Sequence, residues 1–169
     1  MKAKKIKGTM TDFQKVRDFN ETFGVPSFDE PQLDIFNNNA KLVEYRLSLI
    51  REEVSELEQA VKDKDLVEVC DALADIIYVV QGMGASMGIN LDKAFDIVHK
   101  SNMSKVCETE EEAKSTVVYY EQNKDELGYD TPKYRLSSNG KYYVVYNEST
   151  MKVLKSINYS PARFDWLTL

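Results

Sequence analysis

The stretch from about 66 to 87 limits the possible folds more than any other part of this chain. It holds Leu66, Val67, Val69, Leu73, Ile76, Ile77, Val79 and Val80, which are apolar positions nearly all the way round a helix. A helix of that kind is expected to be buried on most sides. Yet Glu68, Asp71 and Asp75 project within about 60° of one another from the same helix. No Lys or Arg on it is available to pair with them. Unpaired carboxylates in such a place are costly, or their pKa values rise until they take up protons. A bound divalent cation removes the difficulty. Asp and Glu oxygens without His or Cys select Mg²⁺, Mn²⁺ or Ca²⁺ over zinc. The helix is also apolar on more faces than a four-helix monomer covers, which points to an oligomer.

The rest of the chain supplies partners for that helix. A first helix is expected at about 12–23, capped by Thr11 or Asp12, with Phe13, Val16, Phe19 and Phe23 on one face. Gly24 and Pro26 end it, and 24–35 reads as a loop. A second helix at about 37–63 carries the stripe Val43, Leu47, Ile50, Val54, Leu57, Val61. On it Glu52 points away from the stripe, while Glu53 and Glu56 lie one turn apart on its flank, within about 60° of each other. Lys62–Asp65 is the turn into the central helix. Asn90 opens a helix at about 91–103, with Leu91, Ala94, Phe95 and Val98 inward. Thr109 and Glu112 form a capping-box pattern for one at about 110–124. Residues 133–156 are rich in Tyr and Val, which favour strands, and Asn139-Gly140 signals a two-residue hairpin. A second turn is expected near 148–151, and the tail 157–169 reads as irregular.

These segments give a mainly α chain: a four-to-five-helix bundle with a small C-terminal β-hairpin or meander. The helical catalytic domain is expected over 11–125 and the β appendage over 130–169. A flexible lead is expected over 1–10, with the basic run Lys2–Lys7 solvated.

Composition narrows the function. There are 28 Asp+Glu against 22 Lys+Arg, for a net charge of −6. Nucleic-acid binding by counterion release needs a basic surface, so no nucleic-acid partner is expected. No apolar run of membrane-spanning length exists, and no secretory signal is expected. Cys70 and Cys107 lack a partnered Cys/His spacing, which argues against a disulfide framework or a zinc site and for a reducing cytoplasm. With His99 as the single histidine, a Ser-His-Asp or Cys-His catalytic system is disfavoured. Carboxylate chemistry with a hard cation is what remains.

Glu52-Glu53-x-x-Glu56, followed on the next helix by Asp71-Ala-Leu-Ala-Asp75, resembles the all-α nucleoside triphosphate pyrophosphohydrolases. This group includes the MazG-like, dimeric dUTPase-like and phosphoribosyl-ATP pyrophosphohydrolase families, and the last of these is the nearest in pattern. Asp12-Phe13-Gln14 through Phe23-Gly24, Val98–Lys105 and Lys152–Lys155 support the resemblance. It covers about 11–106 and a short segment around 152–161, and residues 108–150 read as an insertion. The commonest family pattern has Glu three residues before the Asp, where this chain has Ala72. Asp71, or alternatively Glu68, then supplies the missing ligand.

The resemblance implies hydrolysis between the α- and β-phosphates of a nucleotide, giving a monophosphate and pyrophosphate. It implies Mg²⁺ as cofactor, with Mn²⁺ as a substitute, and Glu53, Glu56, Asp71 and Asp75 as ligands. Glu53 or Glu56 would also take the proton of the attacking water, and Glu52 is a supporting residue. Lys105 would face phosphate oxygens, Asn102 the sugar or base, and Lys100 is a second phosphate contact. Phe19, Phe23 and Tyr78 read as core residues ahead of base-stacking platforms, and His99 as structural. The implied assembly is a homodimer or homotetramer. Phosphoribosyl-ATP as substrate is the alternative within the enzyme class. A non-catalytic helical binding module is the alternative outside it.

Overall fold

The computed structural model describes residues 9–168, so the run Lys2–Lys7 and most of the expected N-terminal lead lie outside the described residues. The elements are α1 (Asp12–Phe23), α2 (Ile35–Asn38), α3 (Ala40–Asp63), α4 (Leu66–Met87), α5 (Leu91–Met103), α6 (Glu110–Gln122) and α7 (Lys124–Leu127). They are followed by β1 (Pro132–Leu136), β2 (Tyr143–Asn147) and β3 (Lys152–Val153), then a 3₁₀ turn at Asp165–Leu167. The chain is mainly helical with a small three-stranded sheet, as the sequence implies. Packing divides it into two compact units, one running up to Phe95 and resuming at Phe164, the other Asp96–Arg163. The expected boundary near 125–130 follows element type, whereas packing groups α6 and α7 with the strands.

In the first unit the caps set the helix lengths. The Thr11 hydroxyl accepts from the Gln14 N–H, and the Gln14 side chain accepts from the Thr11 N–H at 2.9 Å. Gly24, left-handed at φ 66, closes α1. The Asp65 carboxylate accepts from the N–H groups of Val67 and Glu68 and starts α4. Only Lys64 and Asp65 separate α3 from α4, so the two helices pack as antiparallel neighbours.

Of the expected α3 stripe, Val43, Leu47, Ile50 and Leu57 are half-buried, and Arg46, Glu53 and Ala60 join them on the covered side. Val54 and Val61, expected inward, are exposed. The facing stripe of α4 is Val69, Ala72, Ile76, Val79, Met83 and Ser86. Arg46 is buried, and its Nε donates to Ser86 Oγ at 2.9 Å. Ser86 Oγ in turn donates to the Pro26 carbonyl at 2.9 Å. Gly82 makes room for this arginine, since a Cβ there would stand 3.2 Å from Arg46 Nη1. Burial lowers the Arg46 pKa from its ordinary value.

Burial of α4 on most sides is not met within one chain. Leu66 is 81% exposed, and Leu73, Ile77 and Val80 on the same face are also open. Within the unit α4 packs against α1 and α3, leaving this face uncovered. The segment after α1 is laced to the end of α4 by hydrogen bonds from Phe28 N–H to Ala85 O (2.9 Å) and from Gln32 N–H to Met87 O (3.0 Å).

In the second unit, β1 pairs antiparallel with β2, and β2 with β3, in the order β1-β2-β3. Cys107, Ala113, Tyr120, Val145 and Leu154 form its core. The Thr109 hydroxyl caps α6 through the Glu112 N–H. The Glu112 carboxylate accepts from the Glu108 N–H and from the Ser156 hydroxyl, fixing the chain after β3. The hairpin between β1 and β2 is longer than the expected two residues. Ser137 N–H donates to Tyr142 O, Gly140 N–H to Ser137 O, and only Gly140 takes a positive φ. The Asn139 side chain accepts from the Ser137 hydroxyl and the Lys141 N–H, which holds the wider loop.

Gly88 is the sharpest backbone constraint. It sits at φ +71, and a Cβ there would come within 1.8 Å of the Glu30 carbonyl oxygen. Gly88→Ala is expected to cost well over the ~1–2 kcal/mol of a left-handed alanine, because backbone must also move. Gly24→Ala, at φ +66 with nothing within 4 Å, should cost only that ~1–2 kcal/mol. Urea denaturation of both variants checks the contrast.

Candidate active site

The α3–α4 pairing places acidic side chains from two helices in a common field. Glu53 is half-buried, whereas Glu52, Glu56, Glu68, Asp71 and Asp75 are exposed. The expectation that the α4 carboxylates are the desolvated ones is therefore corrected. Asp71 and Asp75 are exposed on the α1 side of α4, roughly opposite the Leu66–Leu73–Ile77 face, while Ala72 lies buried toward α3. The strained carboxylate is on α3. Glu53 Oε2 is buried without a hydrogen-bond partner. Desolvation raises the Glu53 pKa first, and the charges of Glu56, Asp75, Glu52 and Asp71 raise it further. Glu68 is not among the charges that act on it.

Among the described residues, no three His, Cys, Asp or Glu side chains are gathered closely enough to hold a metal ion. The donor set nevertheless fits a hard divalent cation. It offers oxygen ligands only, mutual repulsion that a cation would relieve, and a buried Glu53 oxygen with an unused lone pair. Position 72 is alanine and buried, so a carboxylate from that position has no counterpart here. Asp71, one residue earlier, supplies an exposed acidic group on the same side of α4 as Asp75.

The second unit holds the other expected residues. Lys105 Nζ donates to Asn102 Oδ1 at 2.7 Å. Lys100 lines a pocket of about 300 Å³ with Ser101, Ser160 and Arg163. His99 is exposed on α5.

Two features of the first unit differ from the residue-level reading. Phe19, Phe23 and Tyr78 are exposed, not core. A cleft of about 830 Å³ lies on the opposite flank of α1 from those rings, lined by Gln14, Arg17, Asn20, Ser27 and Asp29, among others. It contains none of Glu52, Glu53, Glu56, Glu68, Asp71 and Asp75, so this cleft and the acidic cluster are separate. Arg46 was not legible as a buried group. Its signal was its place in the 46-50-53-57-60 stripe, which also carries Glu53.

An antiparallel pair of helices carrying acidic residues on both members fits the all-α nucleotide pyrophosphohydrolase class. Residues 16–102 match the family model described as phosphoribosyl-ATP pyrophosphohydrolase. That span contains Glu52, Glu53, Glu56, Glu68, Asp71, Asp75 and Asn102. An uncharacterised protein of Acanthamoeba polyphaga mimivirus is 31% identical, the match covering 86% of this chain and 91% of the relative. The chain belongs to the phosphoribosyl-ATP pyrophosphohydrolase family, a member of the all-α NTP pyrophosphohydrolase superfamily. It is a hydrolase acting on phosphorus-containing anhydrides.

The state of Glu53 yields a stability prediction. An acid whose folded pKa exceeds its unfolded value, about 4.3, loses stability as pH rises through that region. Glu53→Gln removes that loss. In EDTA at pH 7 the variant should melt at a higher temperature than the wild type, and the difference should vanish toward pH 4. Calorimetry across that range checks it, and an unchanged or lower melting temperature at pH 7 would refute the strained-carboxylate account.

Proposed function

We propose that this protein hydrolyses a nucleoside or deoxynucleoside triphosphate at the α–β bond, releasing a monophosphate and pyrophosphate, with Mg²⁺ as cofactor and Mn²⁺ able to replace it. The observation that carries the reading is the unpartnered, desolvated Glu53 oxygen among carboxylates of both helices. Such a group is unfavourable in the free protein and favourable once a divalent cation, carried in with a polyphosphate, sits against it. Membership of a pyrophosphohydrolase family supports the same bond class.

Glu53, Glu56, Asp71 and Asp75 would hold the cation. When bound, it neutralises phosphate charge and makes water more acidic. The protein's own groups do the rest. Glu53 or Glu56 accepts the proton of the attacking water. Water adds at phosphorus on one side of the α–β bridge, and the bridging oxygen leaves with the other phosphate. Glu52 supports the position of Glu53. By the family resemblance alone, Lys105 and Lys100 would contribute point charges suited to phosphate oxygens, and Asn102 a hydrogen bond to the sugar or base.

Phosphoribosyl-ATP is the second substrate to weigh, because the matched family carries that description. Both readings share the bond type and the acidic site. Purified protein with Mg²⁺ and each of the eight common NTPs and dNTPs, and then phosphoribosyl-ATP, should give monophosphate plus pyrophosphate from one group. Release of diphosphate and inorganic phosphate instead would refute α–β cleavage. Asp75→Asn should lower turnover by at least about 100-fold, as expected for loss of a ligand that stabilises transition-state charge, while circular dichroism shows the helices retained.

We also propose that the protein works as a homodimer or homotetramer. Leu66, Cys70, Leu73, Ile77 and Val80 recur at four- and three-residue steps along the open face of α4. That is the pattern by which one helix meets another across a bundle. Leu73→Lys with Ile77→Glu should convert the assembly to monomer, as read by light scattering on a sizing column. A wild type that elutes as a monomer at micromolar concentration would overturn this.

A further inference from the structure

Three aromatic rings stand in solvent beside the acidic site. Phe23 is 67% exposed, and Phe19 and Tyr78 are each 40% exposed. They are not scattered. The rings of Phe19 and Phe23 lie 4.4 Å apart at 32°, and Tyr78 meets Phe19 edge-on at 5.7 Å. Large apolar rings left open in a group mark a binding surface more often than single exposed side chains do.

Their position relative to the carboxylates follows from helix geometry. Asp71, Asp75 and Tyr78 are spaced i, i+4, i+7, so they fall within about 60° on one face of α4. Tyr78 stands one turn beyond Asp75 along that face. The Gly82 position lies beside Val16 and Tyr78 against Phe19, so α1 runs antiparallel to α4. The next turn of α1 carries Phe23, which therefore comes level with the Asp75 turn. The acidic face of α4 thus continues directly into an aromatic surface made by α1 and Tyr78.

We propose that Phe19, Phe23 and Tyr78 form the surface on which the nucleobase of the substrate stacks, while its polyphosphate lies over Asp71 and Asp75. The proposal rests on the nucleotide pyrophosphohydrolase reading above. A nucleotide has an anionic end and a flat aromatic end, and this face offers matching chemistry in that order. Stacking on a ring tolerates any base, because every base has a π-face. The cluster therefore supplies affinity for nucleosides as a class. The polar cleft on the far flank of α1 lacks this continuity with the carboxylates.

Phe23→Ala tests the proposal, since a ring that is mostly in solvent can be removed without opening the core. The readouts are KM for the best nucleotide in the presence of Mg²⁺, the inhibition constant of inorganic tripolyphosphate, and the oligomeric state. Tripolyphosphate carries the anionic end without a base. The expected result is a rise in KM of about five- to 100-fold, the range of base–aromatic stacking, with tripolyphosphate inhibition unchanged. Phe23→Trp should restore KM, and its fluorescence should fall on adding nucleotide. Wild-type turnover with an unchanged KM in Phe23→Ala overturns the stacking surface and leaves the catalytic reading standing. A changed oligomeric state with unchanged nucleotide affinity also overturns it and makes the rings an interface between copies. A wild type that turns over no nucleotide and is not bound by any overturns both readings.

Discussion

Everything at the acidic site depends on how closely α3 can approach α4. Small side chains sit in the facing stripes: Ala60 on one helix and Ala72 on the other. Close packing of this kind leaves no room for water between the helices. Glu53 lies in the same stripe as Ala60 and Arg46, so it loses solvent on one side because its neighbours are well packed. Larger residues at these positions would push the helices apart, hydrate Glu53 and weaken the field it shares with Glu56, Asp71 and Asp75. Stability from helix packing and strain in the carboxylate therefore have one source. Strain concentrated at a functional site and held by the surrounding structure is a recurring arrangement.

Arg46 shows the same balance with the opposite charge. A buried guanidinium is expensive unless its donors are satisfied. Here the balance is partial: Nε reaches Ser86, and Ser86 passes the connection to the Pro26 carbonyl, while Nη2 is buried without a partner. The chain Arg46–Ser86–Pro26 ties α3, α4 and the segment after α1 to one another. That segment is further fixed by Phe28 and Gln32 on the last turn of α4, and Gly88 allows Glu30 to come close. The first unit thus has a rigid end at Arg46 and Gly88. Its acidic end is held mainly by helix–helix contact.

Much of this was legible in the sequence because helix ends write local signatures. Thr11 with Gln14, Asp65 before Leu66, Asn90 before Leu91 and Thr109 with Glu112 each satisfy a backbone N–H at the predicted start. These interactions span two or three residues, so one-dimensional reading captures them. Burial is different, because it depends on what lies across from a residue. The period of α4 showed that it is apolar nearly all round but not how much cover one chain gives it. Leu66, Leu73 and Ile77 are therefore open although their types suggested core. Phe19, Phe23 and Tyr78 failed for the same reason. The Asn139-Gly140 signal marked the turn correctly but not its length, because Ser137 and Asn139 side chains stabilise a wider loop that competes with the two-residue one. At the acidic site the residue types pointed to the chemistry, while the identity of the desolvated member, Glu53 and not Asp71 or Asp75, came only from the packing of two helices.

The departure at position 72 follows from that packing. Alanine is buried there against α3, and its small size permits the close approach on which the site depends. A carboxylate at 72 would point into the helix pair and add a fifth negative charge near Glu53. Asp71, rotated by about 100° from position 72, keeps an acidic group on α4 while leaving the interface apolar. The exchange moves charge from the seam between the helices to the exposed α1-side face that also carries Asp75 and Tyr78. It leaves Glu53 as the one acidic group of the set desolvated by the helix pair, so the cost of assembling negative charge is concentrated on a single oxygen.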